Sequence, residues 1–121
     1  MKEVQDLMDK VGAWSDSTFG PGDRALPIAY HLKKEVDELI EALKLADSML
    51  KDEFVSPEAY RRQRVAVKYE YADCLMLLLD SARQDGLTAE ELRIFTERKL
   101  SINKFREWGK PDENGVVEHI K

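Results

Sequence analysis

Apolar positions along this chain recur mostly at spacings of three and four, which predicts helices. Val4, Leu7, Met8 and Val11 mark a short amphipathic helix from residue 2 to about 13. The following segment, "WSDSTFGPGDR" at 14–24, is rich in Ser, Asp, Gly and Pro and reads as a loop that carries two aromatics, Trp14 and Phe19. Pro27 fits the first turn of a long second helix that runs to about Lys51. "EFVSP" interrupts the pattern, and Ser56 with Pro57 supplies an N-cap and first turn for a third helix reaching about Gln84. Asp85-Gly86 closes it. The capping box "TAEE" at 88–91 then opens a fourth helix, expected to continue to Trp108 before Gly109 and Pro111 stop it. "DENGVVEHIK" reads as an irregular tail, and no segment reads as a strand. The pattern predicts an all-α, four-helix fold, with residues 1–121 as a single domain.

Two of these helices place acids on their apolar stripes. With about 100° per residue, Ile28, Leu32, Leu39, Ala42 and Ala46 all fall within about 60° of Glu35, and Glu38 and His31 lie at one edge of that stripe. On the third helix Val67, Cys74, Leu77 and Leu78 share a face with Glu70, and Asp73 lies on its flank, about 60° away. Leu75 and Leu79 cover the opposite side, so this helix is expected to be central in its domain or wedged against a second subunit. Acid-x-x-acid spacing is common in so charged a chain, as Glu3 with Asp6 illustrates. Placement on inward stripes is what distinguishes these two pairs, because burying an uncompensated carboxylate costs several kcal/mol.

Three compensations suit such a cluster: ion pairs with Lys or Arg, protonated carboxyls, or a divalent cation bound by oxygens from both helices. The cation accounts for all four acids with one cause, and an all-carboxylate set suits Mg²⁺ or Mn²⁺. A di-iron bundle would need Glu-x-x-His pairs, which the chain lacks. His31 reads as a supporting group beside the ligands. On the fourth helix Lys99, Asn103 and Arg106 form one ladder on the inward stripe of Leu92, Phe95 and Ile102. They either reach from the core edge to water or grip the phosphates of a polyanion that the cation also binds.

Composition narrows the field. Among 121 residues the net charge is -5, which argues against a nucleic-acid partner, and the cluster Arg61, Arg62, Arg64, Lys68 reads as a solvated helix face. The lone Cys74 cannot form an intrachain disulfide and fits a reducing cytoplasm. The N-terminus does not read as a signal peptide, and no apolar run approaches a membrane span.

"HLKKEVDEL", "EYADCLMLLLD" and "KLSINKFREWGKP" together resemble the MazG-like all-α nucleoside triphosphate pyrophosphohydrolases, in particular the small dATP/dGTP pyrophosphohydrolase branch that includes phage enzymes. The resemblance covers most of the chain, from Trp14 to Trp108, with Lys34 standing where the broader family often has a further acid. It implies a metal quartet of Glu35, Glu38, Glu70 and Asp73, and phosphate contacts from Lys99, Asn103 and Arg106. It also implies a purine deoxynucleoside triphosphate substrate, cut between its α and β phosphates with Mg²⁺ or Mn²⁺, and a dimeric or tetrameric assembly. Some phage relatives remove dGTP and supply dGMP for making 2-aminoadenine DNA. Glu38, at the stripe's edge, is the candidate acceptor of the attacking water's proton. Trp14 and Phe19 either stack on the base or pack over the core. The competing readings are a non-catalytic helical interaction module, whose acids meet a partner's basic residues, and a nucleotide-binding regulator without turnover.

Overall fold

The computed structural model describes residues 2–121, and its elements are α1 (Lys2–Phe19), α2 (Ala25–Leu50), α3 (Pro57–Gln84) and α4 (Ala89–Lys104). The all-α architecture read from the sequence is the one observed. Helix α3 begins where expected: the Ser56 hydroxyl accepts from the Ala59 N–H and Pro57 occupies the first turn. Helix α4 opens on the Thr88–Glu91 capping box, with side-chain and backbone bonds made in both directions.

Helices α2 and α3 form a long antiparallel pair that carries most of the tertiary packing. Three polar ties set its register. Gln63 Nε2 donates to the Ala42 carbonyl (3.0 Å), Ser81 Oγ to the Ala25 carbonyl (2.8 Å), and the Arg24 N–H to Gln84 Oε1 (3.1 Å). Helix α1 packs on α3, and α4 packs only on α1, where the Ala89 N–H donates to Gln5 Oε1 at 2.9 Å. The buried apolar side chains, Met8, Val11, Ile28, Ala46, Val67, Leu79 and Ala89, follow these contacts.

Three departures from the sequence pattern bear on function. First, α1 runs six residues beyond its expected end, so Trp14 to Phe19 are helical and not loop. Ser15 and Asp16, which ordinarily compete with helical backbone, bond instead to groups on α3, and Gly20 at φ +91° stops the helix with its N–H on the Asp16 carbonyl. Second, α4 ends at Lys104, four residues short. The Phe105 and Arg106 N–H groups bond three residues back, and the Trp108 indole donates to the Asn103 carbonyl, so the last turn is capped before Arg106 can join it. Third, the tail is ordered. The Gly109 N–H meets the Glu118 carbonyl and the Ile120 N–H the Glu107 carbonyl, in an antiparallel return that pairs Trp108 with His119.

Much apolar surface stays open. Phe54 and Phe105 are 89% and 91% exposed, and Tyr71, Leu75 and Leu78 leave one side of α3 uncovered. No helix among the described residues is long and apolar enough to cross a membrane.

Candidate metal centre and adjoining cavity

Because α2 and α3 run antiparallel, Glu35 and Glu38 on one lie level with Asp73 and Glu70 on the other. One carboxylate oxygen from each of Glu35, Glu38 and Glu70 lies within 4.8 Å of the others. Asp73 borders the group, and its charge adds to the field on Glu35. Burial above all holds the Glu35 carboxyl above its ordinary range, followed by hydrogen bonding to and charge on Glu38, with His31 opposing. The His31 Nε2 to Glu35 Oε1 distance is 3.3 Å.

Chemically the cluster is incomplete as protein alone. Oε2 of Glu35 and Oε2 of Glu70 are buried without a partner, and among the described residues no Lys or Arg pairs with any of the four acids. Internal ion pairing therefore does not explain the cluster. Hard oxygen ligands with unspent lone pairs on two rigid helices fit Mg²⁺ or Mn²⁺. Cys74, half-buried beside them, has its thiol pushed up by burial and by the charges of Glu35, Glu70 and Asp73, which keeps it protonated and unreactive.

A cavity of about 380 Å³ opens from Glu35 and Asp73 and runs between α1, α2 and α3. Its walls are mainly apolar, with Ile28, Met76 and Leu77 on one side and Trp14 and Phe19 on the other. The two aromatic rings meet edge to face at 5.4 Å, and the Arg24 guanidinium lies over Phe19 at 5.7 Å. Trp14 and Phe19 thus line the cavity that leads to the acids.

The basic ladder is not brought to this site. Helix α4 touches neither α2 nor α3, Lys99 is exposed, and Arg106 lies beyond the helix end with its Nη1 on Asn103 Oδ1 at 3.2 Å. Within one chain Lys99, Asn103 and Arg106 therefore do not share the site of the carboxylates. A second polar group, without an acid-x-x-acid signature, lies at the cavity's far end. Asp80, 4% exposed, accepts from Ser15 Oγ (2.6 Å) and from Arg83 Nε and Nη2 (3.1 and 2.9 Å). Arg83 continues to Asp16, which Arg24 also reaches. The signal was present: seven residues after Asp73, Asp80 falls within about 20° of it on the same stripe.

The sequence profile of the dATP/dGTP pyrophosphohydrolase family matches residues 50–121. That span holds Glu70, Asp73 and the whole of α4, while Glu35 and Glu38 precede it. No curated protein and no solved structure matches the chain.

Proposed function

From the premise that this chain belongs to the dATP/dGTP pyrophosphohydrolase family, hydrolases that act on nucleoside triphosphates, we propose that it cleaves a purine deoxynucleoside triphosphate to the monophosphate and pyrophosphate with Mg²⁺ or Mn²⁺. Glu35, Glu38, Glu70 and Asp73 hold the ions. The observation that carries this reading is the convergence of three carboxylates from two helices with two buried oxygens left without partners. When bound, the divalent ion supplies the positive charge that offsets the triphosphate and acidifies the attacking water.

The protein's own groups do the rest. Glu38, exposed at the rim of the cluster, takes the proton of a water whose oxygen forms a new bond to the α phosphorus, while the bond from that phosphorus to the bridging oxygen breaks and pyrophosphate leaves. Glu35, Glu70 and Asp73, fixed on helices, keep the ligand geometry constant through the reaction. Trp14 and Phe19 cover the base, and the apolar cavity excludes water around it.

Lys99, Asn103 and Arg106 grip the departing pyrophosphate in the site of a second copy. Two observations support assembly. The chain exposes 9320 Å², against roughly 6,700 Å² for a compact monomer of its mass by size scaling. The excess surpasses the roughly 1,600 Å² of a standard interface. It includes the uncovered side of α3 and the outlying end of α4, where this ladder stands. Removal of dGTP in a phage-infected cell is one pathway such an activity serves.

A panel of dNTPs and NTPs with and without Mg²⁺ or Mn²⁺, with products identified, tests the reading. Monophosphate and pyrophosphate from purine dNTPs, only with metal, are expected. A folded protein that consumes none of them refutes it.

A further inference from the structure

The cavity changes character once per helical turn. On α3 the lining passes from Asp73 to Met76 and Leu77 and then to Asp80, two turns or about 10 Å away. Along α2 it passes from Glu35 through His31 and Ile28 to Arg24, the residue just before the helix, about 16 Å along the axis. A metal-facing mouth, an apolar waist and a polar floor follow in order. The depth suits a purine nucleotide held by its α phosphate at the acids, with the base in the waist and its outer edge at the floor.

Hydrogen bonding fixes what the floor can offer. Both oxygens of Asp80 are engaged, one by the Ser15 hydroxyl and the other by Arg83. Since Ser15 gives its proton to Asp80, its oxygen can only accept, and it does so from Arg24 Nη2 at 3.0 Å. Nη2 also reaches Asp16 at 3.3 Å, and among the described residues Arg24 Nε and Nη1 meet no acceptor. Nε is buried, so the floor presents the N–H donors of Nη1, on a cation whose position is set from behind. Guanine brings two acceptors, O6 and N7, to such a group, whereas adenine brings an amino donor where guanine has O6.

We propose that Arg24 reads the O6/N7 edge of the base and makes dGTP the preferred substrate over dATP, with Ser15, Asp16 and the Asp80–Arg83 pair as the residues that position it. This rests on the hydrolase reading above and adds the base to it.

The test compares kcat/KM for dGTP, dATP, dITP and 7-deaza-dGTP in the metal-loaded wild-type protein and in Arg24→Gln. In the wild type, dGTP should exceed dATP by roughly tenfold or more. dITP, which keeps O6 and N7 but lacks the 2-amino group, should behave as dGTP, and 7-deaza-dGTP should fall towards dATP. Glutamine can pair with the N6/N7 edge of adenine, so Arg24→Gln should move the ratio towards dATP. A merely structural Arg24 would lower both substrates together, and an unchanged ratio overturns the proposal. If the variant does not fold, the wild-type analogues decide alone: dITP dropping to the dATP level assigns recognition to the 2-amino group and overturns it. Turnover of dNTPs without base preference defeats this proposal while leaving the hydrolase reading intact. No pyrophosphate from any dNTP defeats both.

Discussion

Gly12 tests the polar group behind the cavity floor through a substitution that helix propensity alone would favour. It lies buried in the middle of α1, where alanine should gain about 1 kcal/mol over glycine. A Cβ there, however, would land on the Arg83 side chain, against Nε and at 2.5 Å from Cδ and 2.8 Å from Cζ. Arg83 cannot yield cheaply, because its guanidinium holds the buried Asp80 by two bonds. Displacing it leaves Asp80 with Ser15 as its one donor, and breaking a buried pair in this way costs about 3–5 kcal/mol. Net of the helix gain, Gly12→Ala should destabilise by about 2–4 kcal/mol, or roughly 8–16 °C in Tm for a chain of this length.

Chemical and thermal denaturation at one fixed protein concentration measure the effect, since an assembling protein's stability depends on concentration. The decisive control is a double-mutant cycle. In an Arg83→Ala background the obstacle is gone, and Gly12→Ala should turn stabilising by about 1 kcal/mol. A neutral or stabilising Gly12→Ala in the wild type, or the same cost in both backgrounds, refutes the reasoning.

Divalent metal should raise Tm, because the ions fill a cluster of unpartnered oxygens in the folded state alone. A hundredfold excess over Kd gives about 2.7 kcal/mol, near 10 °C, and folded Glu70→Gln or Asp73→Asn should lose both this shift and dNTP turnover. Without metal, the raised Glu35 value means that folding disfavours its ionised form. Metal-free stability should thus fall as pH rises from the ordinary 4.5 through the raised folded value. Glu35→Gln should flatten that slope in urea midpoints measured across the range, and an unchanged slope would remove Glu35 as its source. Sedimentation should give a multiple of 14.0 kDa, and Leu75→Glu on the open side of α3 should shift it towards the single chain; a wild type that runs as one 14.0 kDa species contradicts assembly. Mixing inactive Glu70→Gln with inactive Arg106→Ala should restore part of the turnover if α4 serves a neighbouring site, whereas mixtures as dead as their parents would confine each site to one chain.

Local rules determined a large part of this protein. The start of α3 is written in Ser56 and Pro57, that of α4 in Thr88 and Glu91, because capping bonds span only three residues. Glu35, Glu38 and Glu70 could be assigned to one cluster because a helix of fixed pitch sends them to the same side, and two packed helices must bring their inward stripes together. Tertiary structure decided the rest. Trp14 to Phe19 read as loop until Ser15 and Asp16 found partners 65 and 67 residues away on α3, and no local preference encodes such a bond. Periodicity lines Arg106 up with Lys99 and Asn103, but the Trp108 indole caps α4 before Arg106, which reaches Asn103 from beyond the helix end, and α4 packs on α1 away from the acids. Arg24, unremarkable in sequence, became the floor of the cavity because Ser15, Asp16 and Gln84 hold it there from two other helices. Periodicity fixes which side of a helix a residue takes; which helix it then meets depends on packing that no single segment contains.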